Sequence, residues 1–168
     1  TPAITSAPGT TICTGGATTL TSSASTGNQW YKDGTIISGA TTATFTAAFA
    51  GSYTVQVTST DGCSATSPAT AVTVSPSPTA SIAQSTVLSS SNCGTASPIL
   101  LTASTDATGA TYAWYKDGVL IGGASASTYT AVQTGSYTVK ITNGSGCPST
   151  SAPSSVTTGP SASSGSPA

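Results

Sequence analysis

The chain has 168 residues but only seven charged side chains, Lys32, Asp33, Asp61, Asp106, Lys116, Asp117 and Lys140, for a net charge of −1 with no histidine. Three lysines cannot neutralise a phosphate backbone, and four scattered aspartates without a histidine supply neither an acid–base pair nor a set of metal ligands, so nucleic-acid binding, catalysis, and metal or cofactor chemistry are not expected. No apolar run approaches the roughly 18 residues of a membrane-spanning helix, so membrane insertion is not expected either, and solubility rests on the 65 serines and threonines.

In chain order, the first strand signal is Ala17–Ala24, with Leu20 as its one large apolar residue. Asn28–Lys32 follows, centred on Trp30. Asp33-Gly34 is a two-residue turn of the kind that closes tight hairpins, and Thr35–Ile37 is its return strand. Ala43–Thr46 carries Phe45. Ser52–Thr58 alternates Tyr53, Val55 and Val57 against Ser52, Thr54 and Gln56, the pattern of a half-buried strand, and Ala69–Val74 closes the set. The order then returns as Ile99–Ser104, Tyr112–Lys116, the turn Asp117-Gly118, Val119–Ile121, Ser127–Thr130, Ser136–Thr142 and Ser154–Thr157. No segment shows the apolar stripe of a helix.

The return is close. Trp30–Cys63 and Trp114–Cys147 align over 34 residues without a gap, match at 19 positions and lie 84 residues apart. A period that long is a small domain rather than a solenoid unit. Short strands with regular turns imply an all-β chain of two tandem antiparallel β-sandwiches, 1–76 and 77–160. The prolines of Ser75–Thr79 stiffen the boundary, and 161–168 reads as a linker toward a further domain. The expected core is Leu20, Trp30, Tyr53 and Val55 in the first unit and Leu101, Trp114, Tyr137 and Val139 in the second. With no initiator Met and no visible signal peptide, the chain reads as a mature product or an excerpt.

Four cysteines, Cys13, Cys63, Cys93 and Cys147, allow three pairings. Only Cys13–Cys63 with Cys93–Cys147 treats both units alike, so one disulfide per unit is expected. Closing a loop of about 50 residues is worth on the order of 4 kcal/mol in the chain-entropy model. Disulfides in turn imply an oxidising compartment, outside the cell or on its surface.

At Trp30 with Gly51-Ser52-Tyr53, and again at Trp114 with Gly135-Ser136-Tyr137, the chain resembles an immunoglobulin-like domain. That family carries a buried Trp on its third strand and a Tyr at the start of strand F whose hydroxyl closes a corner. Its usual bridge positions are Ser22 and Val55, then Ala103 and Val139, so the resemblance implies a variant with the bridge elsewhere. The pattern Cys13-Thr14-Gly15, Leu20-Thr21, Trp30–Gly34, Gly51–Val55 and Gly62-Cys63 is similar to immunoglobulin-like and PKD-like repeats of large secreted Bacteroidetes-type surface proteins. The resemblance implies adhesin or appendage subunits exported by the type IX system.

Two contact surfaces are open to this reading. Tyr31 and Tyr115 follow the core tryptophans and should face outward, where they would meet a neighbouring subunit or stack on a sugar. A surface almost without charge loses little on burial against a copy of itself, so copies of the chain or neighbouring repeats are the expected partners, with glycans second. The expected function is a structural stalk or shaft of an extracellular adhesin, filament or cell-surface appendage. The alternative is a carbohydrate-binding or spacer module beside a secreted polysaccharide-degrading enzyme.

Overall fold

In the computed structural model, which describes residues 1–86 and 98–158, the chain divides into two units, Thr1–Pro76 and Ser77–Ala168. The expected 161–168 linker and Cys93 lie outside the described residues. Every regular element among the described residues is a strand.

The first unit comprises β1 (Ile4–Ala7), β2 (Thr11–Cys13), β3 (Thr18–Ser22), β4 (Asn28–Lys32), β5 (Thr35–Ile36), β6 (Thr44–Ala47), β7 (Gly51–Thr58), β8 (Ser64–Thr66) and β9 (Thr70–Ser75). One sheet has the order β1-β3-β6 and the other β2-β9-β7-β4-β5, with β8 also on β7. All pairs are antiparallel except β2 with β9, which run parallel and join Thr11, Ile12 and Cys13 to Thr73, Val74 and Ser75. The cis Ala7–Pro8 peptide lies between β1 and β2, where the chain changes sheets.

The second unit comprises β10 (Ser81–Thr86), β11 (Ile99–Ser104), β12 (Thr111–Lys116), β13 (Val119–Leu120), β14 (Thr128–Ala131), β15 (Gly135–Thr142), β16 (Pro148–Thr150) and β17 (Ser154–Val156). Its sheets are β10-β11-β14 and β13-β12-β15-β16, with β17 also on β15.

Side chains facing inward from both sheets make the core, as strand alternation requires. In the first unit Leu20, Trp30, Tyr53 and Val55 are fully or almost fully buried, together with Ile12, Ala47 and Val72. In the second, Leu101, Trp114, Tyr137 and Val139 take the same places, with Ala131, Ile141 and Val156. Each tryptophan starts an aromatic chain. Trp30, Phe45 and Tyr53 have ring centroids 5.9 and 5.8 Å apart, while Trp114, Tyr129 and Tyr137 are spaced at 5.9 and 5.9 Å. The indole N–H groups donate to Thr42 O and Ala126 O at 2.9 Å, so neither buried donor is orphaned.

The last strand of each unit is broken in two, between β8 and β9 and again between β16 and β17. In the gap, Ser67 Oγ accepts from the Val55 N–H at 3.1 Å, and Ser151 Oγ accepts from the Val139 N–H at 3.1 Å. A buried hydroxyl thus fills a missing rung of the ladder. Replacing Ser67 with Ala leaves the Val55 donor buried and unmet, and should cost about 1–3 kcal/mol in denaturant unfolding. The exposed Ser64→Ala should change stability by less than about 0.5 kcal/mol.

Candidate functional site

The motif shared by the two units, Lys-Asp-Gly followed later by Gly-Ser-Tyr, closes into one local device. Asp33 and Gly34 both adopt positive φ, 50° and 77°, as the two-residue hairpin turn between β4 and β5 demands. Asp tolerates that region better than most side chains. Asp33 Oδ1 then accepts from the Ser52 N–H at 2.8 Å, and Asp33 N donates to Ser52 O at 2.8 Å. Asp33 Oδ2 takes the Lys32 ammonium at 2.6 Å. The lysine stem lies across Gly51, where an added Cβ would stand 2.6 Å from Lys32 Cε. Two residues on, Tyr53 Oη donates to Phe49 O at 2.9 Å and closes the corner into β7.

The second unit repeats the device. Asp117 Oδ1 accepts from the Ser136 N–H at 2.9 Å, Lys116 pairs with Asp117 at 2.6 Å, and a Cβ on Gly135 would lie 2.8 Å from Lys116 Cε. Tyr137 Oη donates to Gln133 O at 2.8 Å. Both lysines are thus ion-paired within the turn. The lysine ammonium holds Asp33 and Asp117 below the ordinary carboxylate range, with the Ser52 and Ser136 N–H groups adding to it. The same hydrogen bonds push Lys32 and Lys116 up, and burial pushes Tyr53 and Tyr137 up.

A second arrangement concerns where the chain enters and leaves each unit. At the entry of the first, Ala3 N donates to Ser23 Oγ at 3.0 Å and Ser23 N to Ala3 O at 2.9 Å, in the loop between β3 and β4. At its exit, Thr14 N donates to Ser75 O at 3.0 Å, at the far end of β3. In the second unit Thr79 N donates to Asp106 Oδ1 at 2.8 Å, and Asp106 N to Thr79 Oγ1 at 3.1 Å, in the loop between β11 and β12. The Thr79 N–H holds the Asp106 carboxyl below the ordinary carboxylate range, and the Thr79 hydroxyl adds to the effect. The chain leaves where Thr158 N donates to Thr134 Oγ1 at 3.1 Å, beside the start of β15. Each unit therefore admits the chain at one end and releases it at the other.

The cysteines follow those ends, and the expected Cys13–Cys63 bridge is not formed. Cys63 is an exposed free thiol, whereas Cys13 and Cys147 are disulfide-bonded. The reason lies in the parallel β2–β9 pair. It sets Cys13 beside Ser75, at the exit end, while Cys63 sits in the turn after β7, at the entry end. The eight residues of β7 separate those ends, roughly 25 Å at strand rise. A disulfide requires Cα atoms within about 7 Å. Cys147 holds the turn equivalent to that of Cys63 but is fully buried. Its N–H is held by Asn143 Oδ1 at 2.9 Å, where Cys63 N donates to Ser59 Oγ at 3.2 Å.

Tyr31 and Tyr115 are half-buried on the strands of the core tryptophans, in β4 and β12. Tyr31 Oη donates to Gln56 Oε1 at 3.3 Å on the neighbouring β7. Each ring thus belongs to the sheet face of its own unit.

No protein-family model matches the chain, and no curated protein is similar to it at a significant level. Solved structures are. Fibronectin(III)-like modules of Clostridium thermocellum CbhA share 21% identity over 90% of both chains, with a TM-score of 0.52. Extracellular domains 3–5 of Drosophila OTK share 18% identity over 88% of this chain and 60% of that one, at a TM-score of 0.39. A chimeric titin Z1Z2-Z1Z2 tandem shares 20% identity over 88% and 96%, at a TM-score of 0.30. The first of these likenesses and the strand orders together make the fold an all-β, immunoglobulin/fibronectin-III-like sandwich.

Two outcomes test the turn device. Gly51→Ala displaces the Lys32 stem and lowers the melting temperature, whereas in a Lys32→Ala background the same change costs much less; equal costs in both backgrounds contradict the coupling. The pH profile is the second. Aspartates with lowered pKa contribute stability that is complete above their unfolded value of 3.8 and is lost as pH falls through the folded value. Lysines and tyrosines with raised pKa contribute stability that is complete below 10.5 and 10.0 and is lost as pH rises past them. With no histidine, the melting temperature should stay level from about pH 5 to 9 and fall on both sides.

Proposed function

We propose that the chain is a structural repeat segment, a stalk or shaft of an extracellular adhesin, filament or cell-surface appendage of the Bacteroidetes type that assembles with its own copies or neighbouring repeats. The observation that carries this reading is the passage of the chain through each unit from one end to the other. Tension on such a unit acts across its sheets along the strands. In the first unit the parallel β2–β9 pair lies next to the exit, and pulling along parallel strands loads its rungs together rather than one at a time. The turn device, copied in both units, locks the central strands in register. Bridged cysteines favour an oxidising compartment, and a net charge of −1 favours association over repulsion.

Native protein imaged by electron microscopy should form fibres or multi-copy appendages and associate with rising concentration in light scattering. Monomers that bind a glycan array, with binding lost in Tyr31→Ala or Tyr115→Ala, overturn the proposal in favour of a carbohydrate module. In single-molecule pulling, Ile12→Pro removes a donor from the parallel pair and should lower the unfolding force of the first unit alone. An unchanged force contradicts the mechanical role of that pair.

A further inference from the structure

Cys63 stands out because its counterpart is already used. The two units share the turn after β7 and β15, with the same backbone bonds: Ser59 N to Cys63 O at 2.9 Å and Asn143 N to Cys147 O at 3.0 Å. In one copy the cysteine is bridged and buried, and in the other it is a free, exposed thiol. No partner is available within its own unit, since Cys13 lies at the opposite end and is itself bridged.

The surroundings of Cys63 also point outward. It borders an apolar hollow of about 400 Å³ whose lining includes Thr1, Pro2, Ala24, Val57 and Ala65. The path by which the chain enters the unit therefore runs beside the thiol. Whatever adjoins that end meets Cys63 together with an apolar seat.

We infer that Cys63 is the receiving half of a disulfide between repeats, closed by the exit-end cysteine, the Cys13 position, of another repeat of this kind seated on the hollow. The chemistry balances as thiol–disulfide exchange. The Cys63 thiolate attacks a small-molecule or protein disulfide acting as oxidant, releasing one thiolate. The incoming cysteine thiolate then displaces the oxidant's second sulfur. The two cysteine protons pass through solvent to the leaving sulfurs, and two electrons leave with the oxidant, which is reduced from a disulfide to two thiols. The inference goes beyond the proposed function, because a spacer module would be stapled in the same way as a stalk.

The test is peptide mapping of native protein, extracted in a thiol-blocking maleimide and digested without reduction. The expected result is loss of maleimide label at Cys63 and recovery of its peptide linked to a Cys-Thr-Gly-type peptide from a like repeat. A non-reducing gel then distinguishes a repeat in the same polypeptide, which leaves the mass unchanged, from one in a second chain, which doubles it. Cys63→Ser should abolish the linked peptide while melting at the wild-type temperature once both proteins are reduced. Full labelling of Cys63 in native protein, or linkage only to glutathione, free cysteine or an unlike protein, overturns the inference. Either result leaves the imaging test of the stalk reading untouched.

Discussion

Each unit is organised around one strand, β7 in the first and β15 in the second, and around the need to hold it in a single register. A slip of one residue would turn Tyr53, Val55 and Val57 outward and Ser52, Thr54 and Gln56 inward. Separate contacts oppose that slip at different points. Trp30 sits opposite Val55 in the β4 pairing, Ser67 caps the Val55 N–H, the Tyr53 hydroxyl ties the strand to Phe49, and Asp33 holds the Ser52 N–H. The exposed ion pairs within this set are worth little alone. Their contribution is positional, since the carboxylate also bonds the backbone.

Substitution between the units shows which parts of that framework tolerate change. Phe45 in one unit is Tyr129 in the other, yet the aromatic chain keeps its spacing to within 0.1 Å. Gly51 and Gly135 do not vary, because the lysine stem leaves no room for a Cβ. Ser59 and Asn143 exchange one side-chain acceptor for another at the cysteine N–H. What is retained is the shape of the turn and the polarity of the buried contacts.

Much of this was legible in the chain. The strands flanking Asp33-Gly34 were readable because a two-residue turn needs positive φ at both positions and Asp-Gly supplies it cheaply. The alternation in Ser52–Thr58 was readable because only one face of that strand is buried. By contrast, β1, β2, β8, β10 and β16 carried little signal. They are poor in large apolar residues, all but β10 are only three or four residues long, and pairing along a sheet edge places them more than periodicity does. Ser67 and Ser151 were invisible among 65 serines and threonines, although the prolines at 68 and 153 mark where the last strand breaks.

The cysteines separate the two kinds of knowledge. The sequence by itself determined that the chain is two copies of one β-sandwich, because core, turn and corner residues repeat with a spacing that only that architecture explains. It also showed that the cysteines recur with the copies. Equality between copies, however, says nothing about which end of a sandwich a cysteine occupies. The parallel pairing of β2 with β9 decided that by carrying Cys13 to the exit end, a strand's length from Cys63. Strand direction is a property of pairing between segments some sixty residues apart, and no local pattern encodes it.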